Sequence, residues 1–168
     1  NVGGIRFRCP RLRQTEMLMS SSETNPPVSN TPGENDLALV ETLRKGDVQA
    51  WVEISTPGGY RISAVITNHS LKRLGLKPGA LVAAEVKAPW VTIHLSADDP
   101  ECSADNVLCG TVERIVRGKV TSEIVARIAD GTEICSIVTA QSLKKLGLRP
   151  ADRVWVAFTA FTVVLHAD

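Results

Sequence analysis

One segment of this chain occurs twice, and the duplication constrains its fold more than any other feature. Ile66-Thr-Asn-His-Ser-Leu-Lys-Arg-Leu-Gly-Leu-Lys-Pro-Gly79 returns as Val138-Thr-Ala-Gln-Ser-Leu-Lys-Lys-Leu-Gly-Leu-Arg-Pro150, at an offset of about 72 residues. Without a gap, the same offset pairs Gly46 with Gly118, Gly59 with Gly131, Ile62 with Ile134 and His94 with His166. Roughly a third of the positions in this span are identical, the mark of a tandem module.

The repeated core has a local physical reading. Each copy ends an apolar stretch on Thr67 or Thr139, a residue type favoured for capping a helix start. One or two helical turns follow, with Leu71 and Leu74 on the buried side. Gly75 stands just past the last periodic residue, where a left-handed closing conformation is expected. The Lys77-Pro-Gly79 turn then launches another strand. Thr67 and Ser70 place hydroxyls on the first helical turn, where unpaired N–H groups and a partial positive charge suit an anion. On these two residues alone the capping reading is favoured, and the recurrence as Thr139 and Ser142 does not settle between the two.

Elsewhere from Leu37 onward β signals dominate. Strands are expected at Leu37–Leu43, Val48–Ile54, Tyr60–Thr67, Leu81–Lys87 and Trp90–Leu95. The second copy repeats the order at Val107–Val116, Val120–Ala129, Thr132–Thr139, Arg153–Thr159 and Phe161–His166, with Asp130-Gly131 as a hairpin turn. Short, β-branched strands at regular spacing predict an all-β chain of two tandem small OB-like five-stranded barrels, each with one short helix. The boundaries are 35–98 for the first module and 99–168 for the second, joined through Ser96–Ser103. Each module is near the lower size limit for independent stability, so packing between modules or chains is expected.

Composition excludes several classes. The formal net charge of +1 provides no broad field for nucleic acid or membrane. Aromatics make up 4%, too few for the stacking platforms of single-strand binders. Cys9, Cys102, Cys109 and Cys135 include no Cys-x-x-Cys pair and no His at finger spacing, which reads as free thiols in a reducing compartment and as no metal site. No apolar run approaches a membrane span and no leader pattern is present, so the expected compartment is the cytoplasm. His69, His94 and His166 are scattered, with structural or surface roles. Trp51, Trp90 and Trp155 read as core or interface residues. No nucleophile–base arrangement and no recurring carboxylate pair is present, so no enzyme and no cofactor are expected. Residues 1–34 combine the basic Ile5–Arg13 stretch with a polar, Pro-containing linker and read as a flexible segment without helix-turn-helix patterning.

The Thr-x-x-Ser-x-x-x-Leu-Gly-Leu segment, Val86-Lys-Ala-Pro-Trp-Val91, and Ser103-Ala-Asp-Asn106 ahead of Gly110 resemble the molbindin (Mop or TOBE) family of molybdate-binding modules. The two-module form is similar to the effector region of the molybdate-responsive transcriptional regulator and to stand-alone two-module molbindins, over about residues 35–168. The family opens a module with Ser-Ala-Arg-Asn and a Gly. The second module keeps Ser103, Ala104 and Asn106 but carries Asp105 for Arg, and the first has only Pro32-Gly-Glu-Asn35.

The resemblance implies reversible binding of molybdate, and of tungstate, for oxyanion homeostasis, storage or sensing. Such an anion wants donors only: hydroxyls, N–H groups and a cation. From the resemblance, sites form between modules or chains, with Thr67, Ser70 and Lys87 from one, Ser103, Ala104 and Asn106 from another, and Thr139 with Ser142 as the second pair. Thr159 stands where Lys87 does, so the second module lacks the cation. A homo-oligomer is implied, a dimer before a trimer. Two alternatives stand beside this reading. One is the effector half of a regulator that reaches DNA only through a domain absent from this chain. The other is a protein- or nucleic-acid-binding barrel with degenerate anion sites.

Overall fold

The structure is a computed structural model that describes residues 37–167 together with the backbone of residues 4–6. Apart from those three, the segment expected to be flexible at 1–34 lies outside the described residues. The strands are β1 (Gly4–Arg6), β2 (Ala38–Lys45), β3 (Gln49–Ser55), β4 (Arg61–Thr67), β5 (Leu81–Lys87), β6 (Thr92–His94), β7 (Asn106–Arg117), β8 (Thr121–Ile128), β9 (Glu133–Thr139), β10 (Arg153–Phe158) and β11 (Val163–Ala167). Two helices, α1 (Asn68–Arg73) and α2 (Ala140–Leu146), follow β4 and β9. The chain is all-β in two barrel-like sheets with one short α-helix each, as the repeat predicts. The segments expected as strands from Trp90 and Phe161 begin instead with 3-10 turns, Ala88–Trp90 and Ala160–Thr162, so β6 and β11 start later.

Period-two burial explains the strands. β3 and β4 alternate buried Ala50, Val52, Ile54 and Ile62, Ala64 with more exposed neighbours, which a half-buried pleat requires. β2 and β7 each bend at a register shift, between Val40 and Thr42 and between Val112 and Arg114. An extra residue at the same place in both copies adds the curvature that closes a small barrel. At the second bulge, Glu113 accepts from Arg127 Nη2 at 2.6 Å, which holds its carboxyl below the usual carboxylate range. Both partners are too exposed for that pair to contribute much stability.

The repeat boundary is not the sheet boundary. β6, from the first copy, pairs antiparallel with β10 of the second, His94 opposite Trp155. β11, from the second copy, pairs with β5 of the first, His166 opposite Ala83. The two registers are related by the sequence offset, so the terminal strands are exchanged symmetrically. The exchanged strands bring buried Ile93 to one barrel and Val163 and Leu165 to the other. A buried side chain of this kind is worth about 1.5–3 kcal/mol. One cluster of buried apolar residues accordingly runs through both barrels.

β5 has neighbours on both edges. Val86 pairs with Val163 of β11 and with Ile5 of β1, while Val82 pairs with Ala167 of β11 and Ala38 of β2. β1 therefore continues the line of β2 along β5. β7 covers β10 without interruption, Asn106 opposite Phe158. Gly4–Arg6 thus takes the place along β5 that the start of β7 takes along β10, a role that a reading of residues 1–34 as a solvated tail does not foresee.

Candidate functional site

The Thr–Ser pairs form as their spacing implies. Thr67 caps α1: its Oγ1 accepts from Ser70 N at 3.0 Å and donates to Ser70 Oγ at 3.0 Å. Thr139 and Ser142 repeat this at 3.0 and 2.9 Å. Each pair uses one of its two hydroxyl protons internally, which leaves the other free to donate to a ligand. Neither helix has an acidic residue in its first turn. Leu71 and Leu143 anchor the helices, and α2 closes on Gly147 at φ 64°, a left-handed conformation that Gly adopts without steric cost.

Lys87 ends β5 with its side chain exposed, opposite Gly4 of β1. Ala88, next in the chain, is 0% exposed, and no side chain among the described residues accepts from its N–H. Thr159 and Ala160 occupy the matching places in the second module. Ala160 is likewise 0% exposed, but its N–H donates to Asp105 Oδ2 at 2.7 Å. The Ser103–Asp105 segment therefore lies beside Thr159 and Ala160 of its own module. Ser103 is exposed and Ala104 partly buried.

Asn106 is placed differently from the other candidates. It is 2% exposed, its Oδ1 accepts from Ser63 N at 2.7 Å, and its Nδ2 donates to Ser63 O at 3.0 Å. β4 is the last strand of its sheet, and the Asn106 amide completes its ladder there in place of another strand. Within one chain, no hydrogen bond among the described residues joins Lys87 or Ser103 to either Thr–Ser pair. The fold brings together Thr67 with Ser70, Thr139 with Ser142, and Ser103–Asp105 with Thr159–Ala160.

Sequence reasoning missed the backbone donors of Ala88 and Ala160, the Asp105–Ala160 bond, and the approach of Gly4 to Lys87. Only the first carried a usable signal, the recurrence of Ala directly after Lys87 and Thr159. Of the tryptophans expected in core or interface, Trp90 is 62% exposed, as is Phe161 at 68%, in the second 3-10 turn. Trp51 and Trp155 are partly buried under Arg44 and Arg153. His94 and His166 lie in the exchanged strands, where they meet Thr92 and Glu85. Cys102, Cys109 and Cys135 are free thiols; Cys9 lies outside the described residues.

The family model described as "TOBE domain" matches residues 35–93 and 102–164. The chain belongs to the TOBE-domain family. Its two TOBE copies are 35% identical over 136 residues to the molybdenum-pterin-binding protein MopA of Rhodobacter capsulatus, covering 80% of this chain and 51% of that protein. They are 37% identical over 110 residues to the transcriptional regulator ModE of Yersinia pestis, covering 64% and 41%. The chain thus spans about half the length of the curated relatives it matches. A crystal structure of the cytoplasmic molybdate-binding protein ModG with molybdate bound aligns at a TM-score of 0.75 and 37% identity, over 79% of this TOBE chain and 94% of that one. Among the described residues no helix is long and apolar enough to cross a membrane.

Proposed function

We propose that this protein binds molybdate reversibly, and tungstate with it, through hydrogen bonds and without catalysis, as a cytoplasmic element of oxyanion homeostasis. The observation that carries this reading is the donor set. Each of the two Thr–Ser pairs keeps one hydroxyl proton that the pair does not use, and the buried Ala88 directly follows the exposed Lys87 in the chain. A tetrahedral dianion matches donors without acceptors. The likeness to a molybdate-binding ModG at 37% identity supports the same ligand class.

Thr67, Ser70 and Lys87, with Ser103 and Ala104 from another module or chain, supply one kind of site, and Thr139 with Ser142 contributes to another. Asn106 acts beside them through the backbone it holds. Sites shared in this way require association, as a dimer or trimer of this chain. The exposed Trp90 and Phe161 support burial between copies. A second reading, the effector half of a molybdate-responsive regulator, is supported by the 41% share of the Yersinia pestis regulator that the chain matches.

Isothermal calorimetry with molybdate, sulfate as the control, tests the function, and sedimentation with and without ligand tests the assembly. Heat with molybdate and little with sulfate is expected. Equal responses to both anions, or none, would overturn the reading, and a strict monomer with bound molybdate would overturn the shared sites.

A further inference from the structure

Two register-equivalent positions in this chain carry opposite chemistry. Opposite Lys87 at the end of β5 stands Gly4, which has no side chain. At the end of β10 the last pair is Asn106 with Phe158, and Asp105 and Thr159 are the next residues beyond it. The Asp105 carboxylate does not extend into solvent alone. Oδ2 accepts the N–H of Ala160, a residue 0% exposed, at 2.7 Å. The matching Ala88, equally buried, makes no such bond to a side chain among the described residues.

We infer that Asp105 is a built-in occupant of the second module's anion position, a carboxylate on the donor that an oxyanion would use, and that it sets how many oxyanions each chain takes. This rests on the molybdate-binding reading and deepens it. A buried N–H costs free energy when left without an acceptor, so the Asp105–Ala160 bond satisfies the second module without any ligand. An incoming dianion would have to displace that bond and then remain next to the displaced carboxylate. Like charges a few ångströms apart repel, and Thr159 provides no cation to offset them. In the first module Gly4 brings no carboxylate, and the exposed Lys87 charge favours an outside anion. The two copies, alike in backbone, therefore differ at this position: the second is closed from within by its own carboxylate, and the first carries no carboxylate there.

The test compares the full chain with Asp105→Ala and Asp105→Asn by calorimetry with sodium molybdate, each variant checked first for an unchanged melting transition in the absence of ligand. The Asn variant keeps the shape and an acceptor for Ala160 without the charge, so a folding failure of the Ala variant leaves the question open to it. The Ala160 amide is followed in parallel by NMR. Expected are one further molybdate equivalent per chain in at least one variant and a ligand-dependent shift of the Ala160 amide that the unaltered protein lacks. Unchanged stoichiometry in both variants, while the unaltered protein binds molybdate, overturns this inference and leaves the proposed function intact. A molybdate-dependent shift of Ala160 in the unaltered protein also overturns it. Absence of binding in all three overturns both.

Discussion

Replacing Asn106 by Leu tests how the barrels are joined. The side chains are similar in volume, so the change removes hydrogen bonding with little change in packing. Both amide atoms of Asn106 are committed, at 2.7 and 3.0 Å, to the N–H and C=O of Ser63 on the edge of the first sheet. Asn106 is 2% exposed, so water does not readily replace it. Each backbone group left without a partner costs about 1–3 kcal/mol, and the pair about 2–6 kcal/mol. At about 2–4 °C per kcal/mol for a chain of this size, melting should fall by roughly 4–24 °C. Asn106→Asp should also destabilise: a carboxylate accepts from Ser63 N but sets a negative charge against Ser63 O. The assay is urea and thermal unfolding followed by tryptophan fluorescence and circular dichroism. A loss under about 0.5 kcal/mol for Asn106→Leu would refute the reasoning, since that is the size of an ordinary surface substitution.

Lys87→Ala should weaken the tightest molybdate site far more than Thr139→Ala weakens any site, because only the first module brings a cation; equal losses in calorimetry would contradict this. Ala151 adopts φ 74° where the first copy has Gly79 at φ 86°, so Ala151→Gly should be neutral or stabilise by up to about 1 kcal/mol, read as a melting shift. Fragments 35–98 and 99–168 expressed apart should not fold as monomers, since each lacks the strand that the other supplies. A cooperative, monomeric unfolding transition from either would disprove the exchange. Burial, and secondarily Glu123, push the Cys135 thiol up to about 11, so it should resist alkylation at neutral pH while the exposed Cys102 reacts. Because this folded-state value is raised above the unfolded one, its stabilising contribution is complete below about pH 9 and is lost as pH rises through about 11. Cys135→Ala should therefore flatten the decline in stability over that window.

What the sequence determined is what neighbours within a few residues determine. Thr67 and Ser70 are three positions apart, the spacing at which a capping side chain reaches the N–H of the first helical turn, and they bond that way in both copies. Gly147 reverses the chain through a conformation set at a single residue, and alternating Val, Ile and Ala mark the strand faces. Even the unequal charge of Lys87 and Thr159 was legible, because the offset aligns them. The tertiary structure alone decided where β6 and β11 pair. Two copies of one pattern offer each terminal strand two edges of nearly the same shape and hydrophobicity, so periodicity does not separate pairing within a copy from exchange between copies. The same holds for Asn106 and Asp105, read from the motif as donors to an anion or neighbours of one. Their partners, Ser63 and Ala160, are backbone groups 43 and 55 residues away, and a backbone N–H carries no mark in the sequence of what will meet it.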